Sequence, residues 1–590
     1  MEETISEAQL MRLYALILAT LLAIAANIIP LEIAPDWWDL LVSETAWVWE
    51  QYWSYGTVSG LLVAYNVSDG MKLLTYSMYD RPLRAPFGKF LILYLWTGSS
   101  KWLKREVALV NAIKSRVMYN GLVVRYYPSI DSTDYSAQLY VNVFFLHDLC
   151  MMYYITKNET YLNWAEELFD RIITYFWNDT THLLHLSVNA SDCTVISKYL
   201  GSWGVGWFAM AVEMLYSLTL NETQLKYVEM LYNGYLSFKE ALIPDILYSD
   251  GTRGVSWSLI GHVGIFTEGL VHLYLLTLNK TYLHIAQELV NNAIEYMWNG
   301  NYFKKVYING AFYDDRIVPS QVEFAPAFMK VYVLSRNARV RDVTLNALKS
   351  LFEAWRVNNV FEMSTLNVTT MEKVVGNDGS DEYRPDIFLN SLLRSYLMIH
   401  NSELVDMFYT VLSNEIKNYK VAHGYARAYN DTMKTAVLFD SVGNGGVSEF
   451  PARTERPPQI FDFYLMKYVN KPAYVILAPF NVKLKYYDKL LEVNVNNIKD
   501  SLIVIYATKV TRIIKVGTGS LRNVASLQDL DTFTDCWYYD NASDLLYVKV
   551  RHHSKVTLLI YWDEKGEEES ALVNCLPYFY RKVKIFQYSL

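Results

Sequence analysis

Four polar stretches of this chain gather acidic side chains: "YYPSIDSTDYS" at 126–136, "YSDGTRGVSW" at 248–257, "YDDR" at 313–316 and "NDGSDEYRPD" at 377–386. They supply Asp134, Asp314, Asp315, Asp381 and Glu382, and Glu323 follows in "SQVEFAP". Among and near them stand the aromatics Tyr126, Tyr127, Trp203, Trp257 and Tyr383, the cations Arg253 and Arg384, and His262. Two carboxyls from different loops suit cleavage of a glycosidic bond, in which one protonates the leaving oxygen while the other activates water or attacks carbon. The acid of such a pair needs a raised pKa, obtainable by burial beside aromatics or beside a second carboxylate. Aromatic faces add apolar stacking surface. Carboxylates with aromatics therefore point to a carbohydrate cleft, with the six acids as candidate catalytic groups and the other eight residues as candidate binders. Each acid also has a plain structural use. "NDG" forms turns, Asp381 to Asp386 crowd a helix start where negative charge is welcome, and "YDDR" makes a loop ion pair. Glu268, His147 and Asp148, deeper in apolar runs, read as packed and hydrogen-bonded groups.

The elements that must hold these residues are announced by a repeat. The frame F-x7-Y-x2-T-x-N-x-T-x-L-x5-L begins at Phe145, Phe208 and Phe266, and fainter copies keep Tyr94 with Thr97, Tyr332 with Asn337 and Tyr396 with Asn401. That makes six units, their tyrosines 58 to 64 residues apart, a period suited to a large helical hairpin and its connection. In the third full copy, 257–277 is apolar nearly all round, whereas 281–298 is apolar on one face only. The first reads as an inner helix and the second as its outer partner. The inner helices are expected to start near Arg84, Tyr135, Trp203, Trp257, Ile317 and Arg384, with Thr160, Thr223 and Thr281 as N-caps of the outer ones. Inner-to-outer turns are short. The connections back, at about 119–134, 178–202, 242–256, 299–316 and 357–383, are long and emerge at one end of the ring, where long loops usually bind something.

The expected order is a signal anchor or signal peptide at 1–34, a helical ring at 35–439, a Gly- and Pro-bearing linker at 440–470 and a small antiparallel β-sandwich at 471–590, announced by runs such as "LIVIYA" and "KVTLLIYW". The stretch 35–80 leaves room for a seventh pair. Residues 13–30 are apolar except for Asn27 and would reach ~27 Å as a helix. Arg12 before them, with Glu32, Asp36 and Asp39 after, orients the remainder outward from the cytoplasm. Nine Asn-x-Ser/Thr sequons fit exposure to a glycosylating compartment, so N-glycans are expected partners. The net charge of -8 carries no basic cluster, which excludes the usual nucleic-acid binder. Of four cysteines, Cys536 and Cys575 both lie in the strand-rich C-terminal region and could pair, Cys150 reads as a buried thiol, and Cys150 and Cys193 are too far apart to bond. No Cys/His spacing suggests a metal, and no cofactor is expected.

Six inner and outer hairpins with turns such as "LYLLTLNKTYLHIAQEL" resemble the (α/α)6-barrel superfamily of six-hairpin glycosidases, whose members often carry a C-terminal β-sandwich. The resemblance covers about residues 84–590. It implies a mainly α fold, a carbohydrate substrate, no cofactor, and catalytic acids drawn from inner-helix starts and adjoining loops. One familiar feature departs from the pattern: the paired aspartates of "YDDR" lie in a loop and not in a helical setting. The same plan is similar to that of polysaccharide lyases, in which Tyr or His removes a proton beside a uronate; Arg253, His262 and the tyrosines would serve there. A noncatalytic glycoprotein that binds glycans in its ring is the third expectation.

Overall fold

The computed structural model describes residues 37–562 apart from 64, 66–69, 73–86, 318, 358–359, 362–364, 375–384, 419, 426–427, 431–434, 438–456, 470, 481, 488, 497–499, 508–509, 511, 518 and 552–554. Asp381, Glu382, Tyr383, Arg384, Cys575 and the apolar segment 13–30 lie outside the described residues.

Helix α1 (Trp37–Gly56) precedes six helical hairpins. They are α2 (Lys89–Thr97) with α3 (Ser100–Arg116), α4 (Leu139–Thr156) with α5 (Glu159–Phe176), α6 (Ser202–Thr219) with α7 (Glu222–Leu236), α8 (Ile260–Thr277) with α9 (Lys280–Tyr296), α10 (Phe324–Ser335) with α11 (Ala338–Trp355), and α12 (Pro385–Ile399) with α13 (Ser402–Asn418). The first member of each pair is buried nearly all round and the second on one face, as the apolar patterning requires. Inner helices α6 and α12 start within one residue of the expected Trp203 and Arg384, whereas α2, α4, α8 and α10 start later than the sequence suggests; strands before α4 and α8 and, before α10, a 3-10 turn (Pro319–Glu323) occupy the approaches. Of the stretch 35–80, where a seventh pair was conceivable, 37–56 is helix α1, and 64, 66–69 and 73–80 lie outside the described residues. Its Trp37 meets Tyr396 and Phe408 while Trp49 and Trp53 meet Phe90, so α1 closes the seam between the last hairpin and the first.

One turn is used six times. Gly98, Lys157, Leu220, Leu278, Arg336 and His400 all take φ between 48 and 69°, the left-handed conformation that ends a helix. Each N–H donates to the carbonyl of the repeat tyrosine four residues back, Tyr94 through Tyr396, at 2.6–2.8 Å. The very next residue caps the outer helix. In five turns it is Asn158, Asn221, Asn279, Asn337 or Asn401, whose side-chain oxygen accepts the N–H two residues on at 2.8–3.1 Å. The caps are therefore the asparagines and not Thr160, Thr223 and Thr281, which contribute only their backbone N–H groups. The other threonine of the frame is also used: Thr156, Thr219 and Thr277 accept the asparagine N–H at 3.2 Å.

Within residues 440–470, expected to form a linker, α14 (Pro457–Met466) is a helix buried among the inner ones. Trp96 of α2 donates to its Phe463 carbonyl, and its Asp462 sits 3.0 Å from Lys330 of α10 and 2.8 Å from Arg394 of α12. Glu268 of α8 completes the set, 2.7 Å from Lys330 and bonded to Arg394. Two acids and two bases thus neutralise one another inside the ring. That is the condition for burying charge at all.

The C-terminal region forms two five-stranded sheets. In the first, β1 (Ala473–Leu477), β4 (Ser501–Ala507), β9 (Leu545–Val550), β8 (Cys536–Asp540) and β7 (Arg522–Asn523) lie in that order; in the second the order is β2 (Val482–Tyr487), β3 (Leu490–Asn496), β10 (Lys555–Tyr561), β5 (Arg512–Lys515) and β6 (Gly519–Ser520). All pairings are antiparallel except β7 with β8. These sheets sit against the short-turn end of the ring: Tyr547 donates to the Val333 carbonyl at 2.6 Å and Tyr474 meets His400 at 2.8 Å. Among the described residues Cys150, Cys193 and Cys536 are free thiols, so Cys150 and Cys193 are not bonded, as expected; the conceivable pairing of Cys536 with Cys575 involves a residue outside the described ones.

Candidate active site

At the opposite end, the long connections are built of strands, most of them only two or three residues long. Four small sheets link neighbouring connections in turn. Residues 118–138 pair with 187–197, 199–201 with 246–255, 257–258 with 305–314, and 316–317 with 366–373. The result is a collar around the mouth, in which each connection is held by hydrogen bonds to the next.

The sharpest geometry in this collar involves a residue that sequence reading overlooked. Asp245, 2% exposed, is pinned from both sides: its N–H donates to the Trp257 carbonyl and its carbonyl accepts from Ser202, each at 2.9 Å. Its Oδ1 lies 2.5 Å from Nδ1 of His262, the third residue of α8. A carboxylate there fixes the Nδ1–H tautomer and leaves Nε2 as the imidazole's working atom. The Trp203 ring, at the start of α6, stands 4.3 Å from the His262 ring, and Tyr199 flanks Trp203 at 5.7 Å. Nothing in the spacing of "IPDI" foretells this partner, because Asp245 and His262 belong to different elements joined only by the collar.

The next sector holds the carboxylates. Gly261 donates its N–H to the Gln321 side chain at 3.0 Å, which ties the start of α8 to the 3-10 turn before α10. A side chain at Gly261 would run into the Gln321 backbone, so glycine permits this approach. Glu323 ends that turn at 8% exposure, with the start of α12 on its other side. Asp315 is half-buried, its carbonyl held by the Val368 N–H at 2.8 Å, and its carboxylate has no partner among the described residues.

Other candidates are spoken for. Asp314 is partly buried, which pushes its pKa up, but the Arg316 N–H, the Arg316 guanidinium and Lys305 outweigh burial and hold it below the usual range. It stays ionised and is ill suited to donate a proton. Asp134 accepts the Ser136 N–H at 3.0 Å, faces Arg125 at 3.3 Å and meets Tyr127 at 3.3 Å. Tyr126 is buried and donates to Asp131. Arg253 is exposed and engaged with Glu240 at 3.0 Å. Trp257 stacks on Tyr313 at 5.9 Å and 11°, with Tyr307 5.1 Å beyond and Phe312 exposed nearby, which gives the rim an aromatic platform. His262, Trp203, Asp315, Glu323 and Trp257 thus belong to adjoining sectors of the collar, while Asp134 and Tyr126 belong to another.

Residues 140–254, from α4 through the third connection, match the model of glycosyl hydrolase family 76. Among solved structures, an α-1,2-mannosidase from Trichoderma reesei superposes at TM-score 0.55 and 13% identity over 73% of this chain and 93% of its own. The fold is an (α/α)6 barrel. A D-mannose isomerase aligns at TM-score 0.49 and 15% identity, over 65% of this barrel protein and 99% of that chain. An inactive double-aspartate variant of an α-1,6-mannanase from Salegentibacter sp. HEL1_6, bound to α-1,6-mannotetrose, aligns at TM-score 0.39 and 15% identity over 57% and 93%. No curated protein matches the sequence. Among the described residues no group of His, Cys, Asp and Glu is arranged to hold a metal.

Proposed function

We propose that this barrel is a glycoside hydrolase that admits a glycan at the collar and cleaves it with carboxyls of the fourth connection. The observation that carries the reading is the glycosyl hydrolase family match, which runs through two hairpins and into the collar itself. In this reading Glu323, shielded at an inner-helix start, protonates the leaving oxygen, and the unpaired Asp315 activates water or attacks the anomeric carbon. His262, oriented by Asp245, hydrogen-bonds sugar hydroxyls, while Trp203 and the Trp257–Tyr313 platform stack against pyranose faces. A carboxyl separation of about 5–5.5 Å would give retention and about 6.5–9.5 Å inversion. Residues 13–30 would hold the barrel outside the membrane, with sequons exposed to glycosylation.

A second reading has one specific support. A histidine whose tautomer is fixed by a buried aspartate is also equipped to move a proton beside a carbonyl or uronate. Incubating the full chain with a panel of oligosaccharides separates the cases, starting with α-mannosides, the class named by the mannosidase that shares the fold. New reducing ends without ultraviolet absorbance support hydrolysis; unsaturated, absorbing ends replace it with elimination by His262. Binding across the panel with no turnover leaves a glycan-display protein.

A further inference from the structure

A cavity of about 620 Å³ lies far from the mouth, between the short-turn end of the barrel and the first C-terminal sheet. On one side stand the turn from α8 to α9 and the end of α10; on the other stand β4, β9 and the segment around the short helix Asp529–Thr532. Its volume falls within the range of ligand pockets, which collect at such junctions. Two cations and one carboxylate face it. Lys280 Nζ lies 2.7 Å from Asp531, and Lys549 donates to the Leu530 carbonyl at 2.6 Å. One net positive charge remains, that of Lys549, turned onto a backbone carbonyl and unfavourable to a cation.

The other polar groups are neutral and unspent. The side chains of Thr281, His284, Gln287 and Gln528 line the cavity without a hydrogen-bond partner among the described residues. Between them lie the Tyr274 ring and a wall of leucines, Leu527 among them. Amides, a hydroxyl and an imidazole around an apolar wall match a pyranose, whose hydroxyls radiate from a ring with an apolar C–H face.

We propose that this cavity is a second sugar site, which holds a neutral stretch of glycan at the end opposite to the catalytic mouth. The proposal rests on the reading of the barrel as a protein that acts on glycans. Its function would be to anchor a long substrate while another part of it, or a neighbouring chain, enters the collar.

The test is calorimetric titration of the full chain, carrying Glu323→Gln to stop turnover, with α-mannotetraose, cellotetraose and maltotetraose. At least one sugar should bind at two sites. Adding Gln287→Ala with Leu527→Trp, which removes an amide and fills the cavity, should abolish one site or weaken it at least tenfold while the other persists. Gln528→Ala, at an exposed position, is the second variant and should weaken the same site; an unchanged melting curve shows that both fold. Isotherms unchanged by these substitutions, or no binding of any of the three sugars, overturn the proposal. A single site that vanishes with Gln287→Ala and Leu527→Trp would uphold the cavity and instead remove sugar binding at the mouth.

Discussion

Asn401 and its four counterparts show how much one side chain contributes to a turn and how little of that requires a sequon. Asn337 and Asn401 cap their helices with Arg339 and Glu403 two residues on, so the asparagine is retained where no glycosylation signal exists. Asn401→Ala should therefore destabilise the protein by about 1 kcal/mol without any change in glycosylation, as read from chemical unfolding. No loss would remove the capping account of the repeat. A second prediction concerns the Glu106–Asp148 pair, where Asp148 accepts the Gly88 N–H at 3.1 Å at the start of α2. Burial pushes Asp148 up to about 7, and burial with the facing carboxyl raises Glu106 as well. Between the ordinary aspartate range and about pH 7 the native state keeps a proton that the unfolded chain has released, so stability should fall as pH rises through that window. Asp148→Asn should flatten this slope in unfolding midpoints measured from pH 4 to 8; an equally steep slope contradicts the assignment. At this scale, local turn chemistry was legible and pairing was not. The Asn-x-Thr frame marked every full turn, though it left Asn and Thr competing for the cap, whereas the bonds Asp245–His262 and Asp134–Arg125 exist only once the collar has formed.

Helix α14 is the element that sequence reading hid. Its surroundings, rich in Gly and Pro, look like a linker, and its apolar run is short; Pro457 and Pro458 at its start are in fact compatible with a first helical turn. Its burial supplies Asp462 to the network of Glu268, Lys330 and Arg394. Burial works against the Arg394 charge, but Glu268 and Asp462 more than restore it. Removing one member leaves an uncompensated charge inside the ring, so Asp462→Ala should cost about 3 to 5 kcal/mol. A loss below about 1 kcal/mol in denaturant unfolding would mean that α14 is not locked in place by these contacts. Most of the collar was invisible for a related reason: strands of two or three residues cannot display alternation, while the longer pair Leu122–Tyr127 and Ser132–Gln138 shows no regular alternation of apolar and polar residues, so the sequence offered loops where hydrogen-bonded sheets stand.

At the scale of the whole molecule, the two ends of the barrel divide the work. The short-turn end carries the C-terminal sheets and the cavity between them and the barrel, and the collar end carries the aromatics, the Asp245–His262 pair and the carboxylates. The six-fold helical period made this polarity readable, because short and long connections alternate along the chain; which of the acids are unpaired at the collar was not readable, since any exposed loop collects Asp and Glu. If residues 13–30 anchor the chain, protease added to intact cells should digest the barrel, and complete protection would reverse that topology.

The measurement that bears most directly on catalysis at the collar is turnover of an oligosaccharide hydrolysed by the unmodified protein, compared with Glu323→Gln and Asp315→Asn. Each substitution should lower kcat by about 10²- to 10⁴-fold, the range expected for loss of a general acid or base, while sugar affinity stays within about threefold. Turnover unchanged in both variants would contradict hydrolysis by these carboxyls.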